Sequence, residues 1–285
     1  MGKISKSYNT DSPVTLGQMV LLVGVVCLMT WVSGTLVGPI LDLTIYDPVR
    51  RIQIAQILTG LLVFMVPPMV IVAYQKVQRQ KPFIHLVQPS ITLSDLGLTL
   101  LLVLLAQPVC VFFTWVMGLL PAPAMLQALE TDIAATTKLL ITSRGSLDIA
   151  LALLAICVIA PVAEEYFFRG AIQGWMLAKS KSIHLSVGLV AVLFGVIHLE
   201  WSGVLPRIFL GLILGYTAVY RGIPTAICIH VANNLIVYLA LLSGWTTLQH
   251  PDFSPIEIIL YSIASVACIW ITIRIFNRLK NQTDL

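Results

Sequence analysis

The chain has 285 residues, of which 58% are hydrophobic and only 11% charged. A soluble domain keeps its surface wet with about 25% charged residues, so soluble, disordered and coiled-coil folds are excluded together. The formal net charge of +4 is too small for a nucleic-acid footprint, and the placement of the basic residues says more than their sum.

A membrane-crossing helix needs about 20 mostly apolar residues. Eight segments qualify: Leu16 to Val37, Ile54 to Tyr74, Leu96 to Leu120, Leu147 to Ala178, Leu185 to Leu199, Val204 to Tyr220, Pro224 to Leu242 and Ile256 to Phe276. The first apolar run is too long for a signal-peptide core and is expected to stay as a span. Pro67, Pro68 and Pro108 predict kinks in the second and third spans, because proline removes a backbone donor and clashes with the preceding turn. Between the third and fourth spans, Met125 to Thr142 carries apolar residues at helical spacing and predicts an interfacial helix. The fourth span is long with a polar centre, and the fifth and sixth are short. Cys27, Cys110, Cys157, Cys228 and Cys268 all sit in apolar runs and read as packing residues rather than a disulfide framework.

Orientation follows from lysine and arginine. With the N-terminus in the cytoplasm, that side holds Lys3, Lys6, Lys76, Arg79, Lys81, Lys179, Lys181, Arg221, Arg274, Arg278 and Lys280. The opposite side holds Arg50, Arg51, Lys138, Arg144 and Arg207. This bias satisfies the positive-inside rule, predicts both termini in the cytoplasm, and brings Trp201 and Trp245 to the outer interface.

Charge inside a membrane is costly and marks function by default. The fourth span contains Glu164, Glu165 and Arg169. Glu165 and Arg169 are four apart and can pair on one face, while Glu164 is turned about 100° away and is free for chemistry. An interfacial ion cluster on a tilted helix is the plainer alternative, but apolar residues flank the cluster on both sides. The fifth span contains Phe194 and His198, and the seventh contains His230 and Asn234, again four apart. Glu164 lies 17 residues before a turn at Lys181 and His198 lies 17 after it, which predicts a shared depth at a common rise per residue. His230 and Asn234 lie 9 and 13 residues beyond Arg221, or roughly 13–20 Å from that turn. Three helices can therefore bring four polar groups to one layer. A desolvated carboxylate suits a general base, and His230 and Asn234 can donate to an oxyanion. No nucleophile elbow is present, so Glu164-activated water and acyl-bond hydrolysis are expected, the bond most simply a peptide.

These residues resemble the three motifs of the CPBP family of CAAX-protease and bacteriocin-processing intramembrane endopeptidases. The pattern E-E-x-x-x-R, F-x-x-x-H and H-x-x-x-N reads here as Glu164, Glu165 and Arg169, then Phe194 and His198, then His230 and Asn234. The glycine-bearing stretch from Leu205 to Gly215 is also similar. The resemblance covers Leu147 to Leu241, and it implies an all-α polytopic fold of about eight transmembrane helices with a polar catalytic chamber open to the cytoplasm. It implies a glutamate-dependent peptidase without a metal or other cofactor. By position, Glu164 activates water, His198 assists, His230 and Asn234 stabilise the oxyanion, Glu165 and Arg169 orient the site, and Phe194 packs beneath His198.

The expected organisation is an N-terminal membrane region (1–145), a catalytic core (146–242) and a C-terminal span with a cytoplasmic tail (243–285). Two alternatives stay open: a zinc peptidase using Glu164, His198 and His230, and a non-enzymatic immunity or scaffold protein of the same fold. The expected partners are the lipid bilayer and a peptide or membrane-protein substrate, lipidated or not, in a bacterial plasma membrane, with no nucleic acid. His85, His184 and His250 fall in expected loops and read as solvated, and Glu200 reads as an interfacial charge.

Overall fold

The computed structural model of the chain describes residues 8–83, 90–141, 145–243 and 253–283. Lys3, Lys6, His85, Arg144, Trp245 and His250 lie outside the described residues. Among the described residues the fold is all-helical. The helices are α1 (Leu16–Thr44), α2 (Pro48–Val77), α3 (Leu93–Gly118), α4 (Ala124–Ile141), α5 (Ser146–Ser180), α6 (Ile183–Val196), α7 (Val204–Tyr220), α8 (Ile223–Leu242) and α9 (Pro255–Gln282).

Six of these, α1, α2, α3, α5, α8 and α9, are long and apolar enough to cross a membrane. The chain is a polytopic membrane protein. Helices α6 and α7 have 14 and 17 residues. At about 1.5 Å per residue they extend roughly 21 and 26 Å, short of a hydrocarbon core of about 30 Å. The segment expected to be interfacial forms α4. His184 belongs to the first turn of α6 rather than to a loop, with Nδ1 2.8 Å from the Tyr216 hydroxyl.

Local sequence explains where the helices begin. Thr15 and Gln18 form a capping box at α1, Thr92 and Asp95 form another at α3, and Ser182 caps α6. Asp47 accepts from the amides of Val49 and Arg50 ahead of Pro48. Each side chain satisfies backbone donors that a helix start leaves unpaired.

Three helices contain wide π turns immediately before a proline: Ser33–Val37 before Pro39, Gly60–Met65 before Pro67, and Leu153–Ile159 before Pro161. Proline has no amide hydrogen and its ring crowds the carbonyl four residues back. Widening the preceding turn relieves that contact, so the kink expected at Pro67 and Pro68 is prepared upstream. A fourth π segment, Tyr166–Gln173, has no proline and carries Arg169.

Helices α6 and α7 pack as a close hairpin against α5, while α8 packs on the first half of α5 and α3 lies between α7 and α9. The hairpin is close because its contact residues are small, as is common between membrane helices. A Cβ on Gly211 would lie 3.0 Å from the Ala191 Cα, and one on Gly195 would lie 2.8 Å from the Val204 carbonyl oxygen. Backbone cannot rotate aside as a long side chain can. Gly195→Ala is therefore expected to cost about 1–3 kcal/mol by overpacking, read as a lower melting temperature of the detergent-solubilised protein; an unchanged melting temperature would contradict this crossing.

Candidate active site

Four helices contribute to one polar layer. Glu164 and Glu165 end the short α-helical stretch Ala160–Glu165 of α5, and Arg169 lies in the π segment that follows. Glu165 and Arg169 are fully buried, and Arg169 Nη1 donates to Glu165 Oε1 at 2.8 Å. The same carboxylate oxygen is 2.9 Å from His230 Nδ1 on α8. Arg169 Nη2 donates to the Gly211 carbonyl of α7 at 3.3 Å, and its guanidinium carbon stands 4.4 Å from the Phe194 ring centroid. A buried ion pair recovers its desolvation cost only with further partners; here a histidine, a carbonyl and an aromatic face supply part of that, while Glu165 Oε2 and Arg169 Nε stay buried without a hydrogen-bond partner.

Glu164 is the exception in this cluster. Its side chain keeps 16% of its surface exposed, and its Oε2 is 3.9 Å from His230 Nε2. Adjacent glutamates thus have opposite surroundings: one locked by an arginine and a histidine, the other partly exposed with a histidine nearby. His230 bridges the two. A ring whose Nδ1–H is donated to Glu165 offers Nε2 to Glu164 as an acceptor when neutral and as a donor when doubly protonated.

His198 lies just beyond α6, which ends at Val196, and not within the helix as expected from its apolar run. Leu199 takes a left-handed conformation, with φ 54°, which ends the helix and turns the chain toward α7. His198 Nδ1 is 2.6 Å from the Phe194 carbonyl oxygen. A carbonyl only accepts, so Nδ1 carries the proton and the neutral ring presents a lone pair at Nε2. Phe194 is the hub of the layer. Its ring centroid is 5.0 Å from that of His198, 5.7 Å from that of His230 and 5.2 Å from that of Phe168.

Asn234 has a different immediate task. Its Nδ2 donates to the Ile156 carbonyl at 3.0 Å. In the π register the Ala160 amide reaches back to Ala155, so the equivalent donor for Ile156 would be Pro161, which has none. Asn234 supplies the missing hydrogen bond and retains a second N–H on the same nitrogen.

Other polar residues have partners that the sequence did not reveal. Gln53 Nε2 donates to the carbonyls of Leu140 and Asp148, each at 3.0 Å. Arg50 pairs with Asp148, Arg221 with Asp95, and Glu200 with Arg207. Gln173 is fully buried one step below Arg169; its signal was present, since 165, 169 and 173 continue one four-residue series. Among the described residues, no three His, Cys, Asp or Glu side chains are grouped to hold a metal ion.

A buried glutamate–arginine pair beside a second, partly exposed glutamate and two histidines, carried by or next to apolar helices, is the kind of site a membrane hydrolase needs. Residues 146–236 match the family model of the type II CAAX prenyl endopeptidases, Rce1-like. The match spans about a third of the chain and contains every residue of the three motifs. No curated protein and no solved structure matches the chain.

The two acidic neighbours are expected to separate in stability measurements. Arg169→Ala leaves the buried Glu165 with His230 as its remaining partner and should cost about 3–5 kcal/mol. Glu164→Gln, at a partly exposed side chain without a close ion pair, should leave the melting temperature within a few degrees of the parent. Equal losses in the two variants would contradict this division.

Proposed function

We propose that the chain is a CAAX-protease-like intramembrane endopeptidase that hydrolyses a peptide bond with water activated by Glu164. The observation that carries this reading is the contrast between the adjacent glutamates. Glu165 is held as a fixed carboxylate, whereas Glu164 keeps an accessible oxygen facing His230.

Glu164 takes a proton from water as the oxygen forms its bond to the substrate carbonyl carbon. The His198 Nε2 lone pair accepts a hydrogen bond from the same water and aligns it. Negative charge then develops on the carbonyl oxygen. The second N–H of Asn234 and the Nε2–H of doubly protonated His230 are the donors for it, and such preorganised donors are worth about 10²–10³ in rate. Collapse of the tetrahedral intermediate breaks the C–N bond as Glu164 returns its proton to the leaving nitrogen. Glu165 and Arg169 orient His230, and Phe194 supports both histidines.

The rest of the reading follows the charge distribution. Eight crossings, including the short α6–α7 hairpin, put both termini in the cytoplasm and open the chamber there. Residues 146–242 act as the catalytic core. The substrate is a peptide or membrane protein, lipidated or not, in a bacterial plasma membrane.

The test uses the full chain in detergent and an internally quenched peptide whose farnesylated cysteine precedes two aliphatic residues and one variable residue. The same peptide without the lipid is run beside it. Glu164→Gln and His198→Ala are each expected to lose about 10²–10⁴ in kcat while melting like the parent. Unchanged cleavage in either variant would refute its role. Cleavage that stops on exhaustive chelation and returns with zinc would replace this mechanism with a metal-dependent one.

A further inference from the structure

The N-terminal segment before α1 does more than lead into the first helix. Residues 8–15 form a strap across the end of the bundle where α2 ends and α5 turns into α6. The Asn9 amide donates to the Phe83 carbonyl at 2.9 Å, and the Ser12 hydroxyl donates to the Lys81 carbonyl at 2.6 Å. Lys181 Nζ donates to the Thr10 carbonyl, and Trp175 Nε1 donates to the Thr15 carbonyl at 3.1 Å. The strap is therefore tied to both helices.

Its largest buried side chain is Tyr8, which is 7% exposed. The Tyr8 hydroxyl accepts from Gln173 Nε2 at 3.2 Å, and the same nitrogen donates to the Gly215 carbonyl at 3.1 Å. Gln173 repeats, four residues later, what Arg169 does: Arg169 reaches the Gly211 carbonyl, and Gln173 reaches Gly215. Two rungs thus join α5 to α7. The lower rung needs glycine, since a Cβ on Gly215 would lie 2.9 Å from Gln173 Oε1. Burial pushes the Tyr8 phenol well above its ordinary range, so it stays neutral across working pH.

The lower rung depends on the strap. Gln173 has two N–H groups on Nε2, one for Gly215 and one for Tyr8. Without the Tyr8 oxygen one of them is left buried and unpaired, and the amide is free to turn away from Gly215. That loosens the spacing of α5 and α7 one step below the Arg169–Gly211 contact. We propose that Tyr8 is a positioning residue for the catalytic layer, acting through Gln173 and the α5–α7 spacing on Arg169 and Glu165. The inference rests on the peptidase reading above and adds to it a contribution from outside the matched residues 146–236.

The full chain in detergent, with the farnesylated quenched peptide as probe, tests this directly. Tyr8→Phe removes a single oxygen and is expected to lower kcat about two- to tenfold with KM within about twofold, the scale of one lost hydrogen bond. Gly174→Ala should act in the same direction without deleting any polar group, since its Cβ would lie 3.0 Å from Phe83 Cδ2 and 3.5 Å from Tyr8 Cδ1. Asp11→Asn, on the exposed side of the strap, should match the parent. Because Tyr8 and Gln173 act as a unit, Tyr8→Phe combined with Gln173→Met should be no slower than Gln173→Met alone. Glu164-dependent cleavage that Tyr8→Phe leaves unchanged, a loss expressed only in KM, or additive losses in the double variant would overturn the inference alone. Absence of any Glu164-dependent cleavage would overturn the peptidase reading and this inference with it.

Discussion

A guanidinium and a carboxylate with no exposed surface, buried between membrane helices, constrain everything around them. Arg169 and Glu165 are 2.8 Å apart, but mutual attraction alone does not offset taking both charges out of water. The surroundings must complete the solvation. Gly211 gives a backbone carbonyl, Phe194 gives an aromatic face, and His230 gives a donor. Each requirement fixes a different helix against α5. The ion pair thus touches α6, α7 and α8 at once, while small residues keep the α6–α7 hairpin close.

The same demand divides two chemically identical neighbours. Glu165 spends one oxygen on both Arg169 and His230, so it serves as a fixed negative reference for the histidine. Glu164 has only the distant edge of that histidine and is left available. The helix geometry around them supports this arrangement. The π turn before Pro161 leaves the Ile156 carbonyl without a local donor, and Asn234 fills the gap. One asparagine therefore joins α8 to α5 and keeps a second N–H on the same nitrogen.

Much of this was legible in the sequence because charge is so scarce there. With 11% charged residues, Glu164, Glu165 and Arg169 could not be hidden, and a four-residue spacing was enough to pair the last two. The turn at Lys181 was also legible, and Lys181 is the left-handed cap that ends α5. Other features were not. A depth estimate from a uniform rise presumes uniform helices, whereas α5 contains two π segments and α6 stops before His198. Asn234 reads as a donor by type, but its partner depends on a proline 73 positions earlier, at Pro161, through a backbone register that no side-chain pattern encodes. Tyr8 lies in a short polar stretch with no periodicity, and only the folded chain brings it to Gln173.

The matched segment and the structural unit that holds the site are not the same. Residues 146–236 carry all the motif residues, yet α2 supplies the Gly60–Met65 turn that packs on Ala160–Glu165. Phe64 from that turn stands 5.3 Å from Phe167 and 6.1 Å from Phe168, the ring beside Phe194. On the other side, Gln107 of α3 donates to Asn233 at 3.2 Å, next to Asn234. The strap adds Tyr8 from below. A site whose charges need complete enclosure has to recruit walls from wherever the chain can provide them. The motif residues can be confined to one stretch of sequence, but the environment that encloses Glu165 and leaves Glu164 partly exposed is built by helices on both sides of that stretch.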